Sequence, residues 1–152
     1  MKTYVLTVSK TFPKTHKRAG EETGFIDKIK GGVKLHTIRA NYELWKKRAE
    51  EINSGNAILS LRYWSGNPYR SKQIEFAQLD EIGVQALIFP EKTLLSATAC
   101  GPEYPNPTWY FGVNIGELAK NDGLSVADFV EWFRKYDLSK QMAIIHFTDF
   151  RY

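Results

Sequence analysis

The segment Gly31-Gly32-Val33-Lys34-Leu35-His36-Thr37-Ile38-Arg39 decides how the chain is read. Two consecutive glycines interrupt the backbone and admit positive φ angles or close approaches that other residues resist. The run behind them alternates. As a strand it puts Leu35, Thr37 and Arg39 on one face and His36 and Ile38 on the other. Two readings fit. In one, a helix ends at the glycines and an ordinary strand with a basic outer face follows. In the other, the glycine turn gathers Lys34, Thr37 and Arg39 into a ligand site. Lys34 and Thr37 are three apart, which places them on opposite faces of a regular strand. The second reading therefore requires Lys34 to sit in the glycine turn or at a bulge, outside strand geometry.

Working towards the start of the chain, Thr23 is placed to cap a short helix through Phe25, Ile26 and Ile29 that the glycines terminate. Before it, Lys10 to Gly24 reads as a loop with a basic cluster, Lys14, His16, Lys17 and Arg18. It serves as a lid, a phosphate-contacting arm or a disordered connector. Thr3–Ser9 alternates and reads as the first strand. Towards the other end, Asn41 caps a helix from Tyr42 to Ile52. Ala57–Tyr63 and Lys72–Ile82 form a hairpin around a long turn, Trp64–Tyr69. Val84–Phe89 is a further strand. Residues 89–107 read as irregular, since they contain four of the six prolines, and Trp109–Val113 resumes as a strand. Asn114 caps a helical turn, Ser125 and Asp128 form a capping-box pattern that opens an amphipathic helix, and Gln141–Phe150 closes as a strand. Short strands with helices between them predict a single α+β domain over residues 1–152, with a small barrel or strongly bent sheet and two to four helices packed around it.

Composition narrows the function. At 43% apolar and 25% charged residues, the chain is globular rather than disordered. No apolar run is long enough to span a bilayer, and the opening residues alternate too strictly for a signal peptide. Cys100 is the only cysteine, which excludes an internal disulfide and points to the cytoplasm. Residues 1–50 hold 12 Lys and Arg against 5 Asp and Glu, whereas residues 51–152 hold 9 against 12. The basic third suits an anionic partner such as RNA or a phosphorylated small molecule, or is simply a solvated face.

The glycine-lysine-threonine-isoleucine-arginine run (Gly32, Lys34, Thr37, Ile38, Arg39), followed in order by Asp122-Gly123-Leu124, the helix through Phe129 and the closing Ile144-Ile145-His146-Phe147, resembles the ASCH domain. That family has a PUA-like barrel and RNA-related functions. The resemblance implies a cleft beside the barrel that binds RNA or a nucleoside-type or nucleotide-like ligand without a cofactor. It also implies an alternative: one bacterial branch hydrolyses acylated cytidines with a lysine, a threonine and a glutamate. Here Lys34 and Thr37 match the first two, and Asp122 stands in the glutamate position, one methylene shorter. In an enzyme, Lys34, Thr37 and Asp122 are the catalytic set, with the lysine as base for the threonine hydroxyl. In a binding protein, Lys34 and Arg39 hold a phosphate or carbonyl, and Thr37 and Asp122 hydrogen-bond a base.

The remaining candidates divide between ligand and packing roles. Trp64, Tyr69 and Arg70 on the hairpin turn form either a stacking wall for a base or local packing. His16, His36 and His146 lack paired metal-ligand spacing, so no metal site is expected. Cys100 has no neighbouring base in sequence, Lys46-Lys47-Arg48 reads as a solvated helix face, and Trp132-Phe133 reads as core.

Overall fold

A computed structural model describes residues 1–101 and 110–152. Eight strands and four helices follow in the order β1 (Lys2–Thr7), α1 (Phe25–Lys30), β2 (His36–Ala40), α2 (Tyr42–Asn53), β3 (Ala57–Trp64), β4 (Gln73–Leu79), β5 (Gly83–Ile88), β6 (Ala97–Cys100), β7 (Tyr110–Val113), α3 (Ile115–Asn121), α4 (Val126–Phe133) and β8 (Met142–His146). They build an α+β fold with two sheets. One has the order β1-β3-β4, the other β2-β8-β5-β6-β7. Among the described residues these ladders do not close into a barrel.

The helices form where local chemistry places them. The Asn41 side chain accepts from the Leu44 amide at 3.2 Å and starts α2. From there Tyr42, Trp45, Ala49 and Ile52 recur at helical spacing and are buried. Ser125 caps α4 by accepting from the Asp128 amide at 3.1 Å. All five residues of β8 are buried, because the strand lies between β2 and β5 and is covered on both faces. β1 pairs with β3 in parallel, in register from Lys2↔Ala57 to Thr7↔Arg62. The long excursion through α1, β2 and α2 is the crossover that parallel pairing needs.

Several expectations change. The strand behind the glycines begins at His36, beyond Lys34 and Leu35, and that expected to reach Phe150 ends at His146. The stretch read as irregular from residue 89 contains β6, a short strand of small buried residues without alternation that pairs with both β5 and β7. The rest of that stretch from residue 102, and Trp109, where the next strand was expected to begin, lie outside the described residues. The basic loop is not a disordered connector. A Thr11↔Glu22 bridge closes its neck, and Phe12, His16 and Thr23 are buried. It folds onto α4, where Arg18 ion-pairs with Asp128 and the His16 ring hydrogen-bonds the Asp128 carbonyl.

The two sheets meet where β1 ends beside β2. The Arg39 guanidinium donates to the Thr7 carbonyl at 2.8 Å across this seam. The candidate site lies there.

Candidate functional site

α1 ends in a turn that the glycine pair makes possible. The Gly31 amide bonds back to Asp27, and Gly32 takes φ +72°. The amides of Val33 and Lys34 both return to the Lys28 carbonyl. Lys34 therefore lies before β2, in the turn, and escapes the strand alternation that would separate it from Thr37. Lys34, Thr37 and Arg39 line one cleft together with Asp122.

Asp122 arrives from the far end of the chain as the C-cap of α3. The end of that helix is clamped to the glycine turn. The Leu35 amide bonds the Asn121 carbonyl at 2.7 Å, and the Lys28 ammonium bonds the Gly123 carbonyl at 2.8 Å. Lys34 Nζ donates to the Asp122 carbonyl at 2.6 Å and to Asp122 Oδ1 at 3.1 Å. Cations suit the free carbonyls of a helix C-terminus. Gly123 permits this approach: its φ is +82°, and a Cβ there would stand 3.2 Å from the Lys34 side chain. The ammonium also lies 4.2 Å from the centre of the Phe25 ring.

The charges here are nearly dry. Lys34 and Asp122 are 2% and 4% exposed. Burial pushes the Lys34 pKa below its ordinary value. Asp122 works against that shift, and Arg39 and Lys28 add to it. Burial alone would raise the Asp122 pKa, but Lys34 and His36 outweigh it and hold the carboxyl below its usual range. Asp122 is thus a carboxylate beside a lysine that gives up its proton more readily than usual. Arg39 reaches only backbone carbonyls, those of Ile38 and Thr7, and has no carboxylate partner among the described residues. Thr37 is 3% exposed, and its hydroxyl makes no hydrogen bond to a protein group among the described residues.

The remaining lining comes from Val8 and Ser9 after β1, Phe25, Ile38, Leu124, Trp132 and Phe133. Trp132, expected in the core, is half-buried and forms a wall of the cleft. Its ring packs against Phe12, His16 and Phe25 at centroid distances of 5.6, 6.2 and 5.6 Å, so the basic loop backs this wall. The space within is narrow. It holds about 20 Å³ for water-sized groups, inside a depression of about 300 Å³ counted out to solvent. The enclosed part has room for about one water molecule.

Trp64, Tyr69 and Arg70 do not line this cleft. Trp64 and Tyr69 pack on each other at 5.1 Å on the hairpin, and Tyr69 is 89% exposed. Cys100 is free and buried. Among the described residues, no group of three His, Cys, Asp or Glu side chains is placed to share a metal, and no helix is long and apolar enough to cross a membrane.

Sequence reasoning did not anticipate a buried polar string behind Asp122. Register places His36 directly opposite His146 in the β2–β8 pair. His36 Nε2 lies 2.6 Å from the Tyr152 hydroxyl, which also receives the Asn121 side-chain amide at 3.1 Å. His146 Nε2 donates to Gln85 Oε1 at 2.8 Å. Only the packing of strands distant in sequence creates this cluster, so no local pattern signals it. No family model, curated protein sequence or solved structure matches the chain.

Proposed function

We propose that this chain is an ASCH-like domain whose two sheets, bridged by Arg39 at their seam, represent an opened PUA-like barrel. Its cleft takes a nucleoside-type ligand, free or presented as one base of an RNA. The observation that carries this reading is the convergence of Lys34, Thr37, Arg39 and Asp122 on one nearly dry cleft. Arg39 has spare donors for a carbonyl or phosphate, Thr37 has a free hydroxyl, and Asp122 is a fixed acceptor for an exocyclic amine such as that of cytosine. Buried donors and acceptors of this kind discriminate strongly, because a ligand lacking the matching groups leaves them unpaired. A base is larger than the enclosed space, so it enters as the Trp132 wall yields. The lone free thiol fits a reducing, cytoplasmic setting.

A second reading, metal-independent hydrolysis of the acyl amide of an acylated cytidine, is favoured by the depressed pKa of Lys34. A lysine poised to lose its proton is a competent base for the Thr37 hydroxyl. The carboxylate of Asp122 opposes that poise, which places binding ahead of catalysis.

Incubation of the protein with N4-acetylcytidine, cytidine and short RNAs tests both readings, with binding followed by NMR and product by chromatography. Shifts at Lys34, Thr37 and Arg39, weakened at least tenfold in Thr37→Ala and Arg39→Met, are the expected result. Absence of binding by every compound would end the nucleoside reading. Deacetylation that disappears in Lys34→Ala and Thr37→Ala would move the assignment to the hydrolase.

A further inference from the structure

Behind the cleft, His36 has no exposed surface and its two ring nitrogens face different partners. Nε2 meets the Tyr152 hydroxyl at 2.6 Å. Nδ1 is buried, has no hydrogen bond, and lies 3.4 Å from Asp122 Oδ1. The hydroxyl of Tyr152 already accepts from the Asn121 amide. It has one proton to give, and His36 Nε2 is there to accept it. A neutral imidazole whose Nε2 accepts must carry its proton on Nδ1. That proton then faces the carboxylate. The opposite tautomer would put a bare ring nitrogen against Asp122, with two acceptors facing each other in a dry interior.

We propose that His36 and Tyr152 are positioning residues of the Lys34 site: Tyr152 fixes the Nδ1–H tautomer of His36, and that N–H holds Asp122 in the orientation it presents to Lys34. The inference rests on the proposed ligand reading only for its functional consequence. Its structural part stands on the geometry. The order runs from the Asn121 amide through the Tyr152 hydroxyl and the His36 ring to Asp122, and from Asp122 to Lys34. Tyr152 is itself anchored, since its backbone amide donates to Gln85 Oε1 at 2.9 Å and its carbonyl accepts from Gln85 Nε2 at 3.3 Å. Gln85 is 1% exposed and also ties down His146, whose ring stands edge-on to His36 at 5.5 Å. The charged and titratable groups around Asp122 are Lys34, Arg39, His36 and Tyr152. Burial lowers the His36 pKa, with Asp122 opposing, so a neutral ring fits the surroundings. His36 is separated from the cleft lining by Asp122 and acts through it.

NMR on the full chain labelled with ¹⁵N-histidine and ¹³C-aspartate tests this. Wild type should show His36 with a protonated-type Nδ1 and an unprotonated-type Nε2, and Tyr152→Phe should let the Nε2–H form appear. The Asp122 titration midpoint should rise by about one pH unit in His36→Phe, which removes the donor. It should return in His36→Asn, whose amide lies near the Nδ1 position. An Nε2–H tautomer in wild type, or an unchanged Asp122 midpoint in folded His36→Phe, would overturn the proposal. If His36→Phe does not fold, the milder Tyr152→Phe decides through its tautomer alone. N4-acetylcytidine titrated into wild type reads the ligand separately. Failure to shift Lys34 and Thr37 would end the nucleoside reading and leave the tautomer result standing.

Discussion

At the scale of single residues, the site is organised by one buried ion pair. Lys34 and Asp122 are almost fully withdrawn from water, and each is made tolerable by the other. Removing one partner leaves an uncompensated buried charge, which costs about 3–5 kcal/mol. Asp122→Leu should therefore destabilise the fold by that amount in urea unfolding. The double variant Lys34→Met/Asp122→Leu should recover most of the loss, since replacing a buried pair by apolar groups is often close to neutral. Additive losses in the double variant would show that the two residues are not coupled. Half of this pair was legible in the sequence. The glycines before Lys34 announced a turn, and a site shared with Thr37 required Lys34 to leave the strand, as it does. Asp122 was reached only through the family resemblance. His36 was not legible as a site residue. Its role depends on Tyr152 and Asp122 arriving from 116 and 86 positions away, and no pattern within β2 encodes that.

At the scale of elements, the basic loop and α4 form a unit that the sequence described only by composition. The cluster at Lys14, His16, Lys17 and Arg18 read as part of a lid, a phosphate-contacting arm or a disordered connector, yet the loop turns two of these inward. His16 is buried and bonds the Asp128 carbonyl, and Arg18 pairs with the Asp128 carboxylate while covering the Phe12 ring. Asp128 was legible as a capping residue but not as the loop's anchor, because a cap is a local pattern and an anchor is not. The Arg18 side chain is 42% exposed, so solvent screens the pair and it adds little to global stability. Arg18→Ala should thus leave global stability close to that of wild type. Because that energy falls on local opening rather than global unfolding, trypsin cleavage at Lys14 and Lys17 should accelerate roughly two- to fivefold. Equal cleavage rates in the two proteins would show that Phe12 and the Thr11↔Glu22 bridge hold the loop without the ion pair. The missed strand β6 has a similar origin. Ala97-Thr98-Ala99-Cys100 has neither alternation nor bulk, and it is a strand because β5 and β7 offer it two ladders.

At the scale of the whole molecule, the five-stranded sheet carries a buried polar cluster, His36, Gln85 and His146, within a core that is otherwise mostly apolar. α+β character followed from the alternation of strand and helix patterns, but the pairing of β1 with β3 in parallel did not, because register and direction are fixed by long-range packing. That same packing sets His36 against His146 between β2 and β8. Neither ring has exposed surface. Burial lowers both pKa values, and for His146 the neighbouring His36 and Arg151 add to the effect. In the unfolded chain each histidine titrates near pH 6.5. Below that pH the unfolded state binds protons that the folded state refuses, so stability falls as the pH drops. The loss approaches about 1.4 kcal/mol per pH unit for each ring. Asp122 does not contribute in this range, since its folded pKa is depressed and its stabilisation is lost only as the pH falls below the unfolded carboxylate value near 4. Urea unfolding should therefore show stability declining from pH 6.5 towards pH 4.5 with a slope of at least one proton. His146→Gln keeps a donor for Gln85 but cannot be protonated there, and it should lower the slope by about one proton. A flat profile between pH 7 and 5 would mean that these rings take up protons in the folded state, and that the two imidazoles are charged rather than neutral.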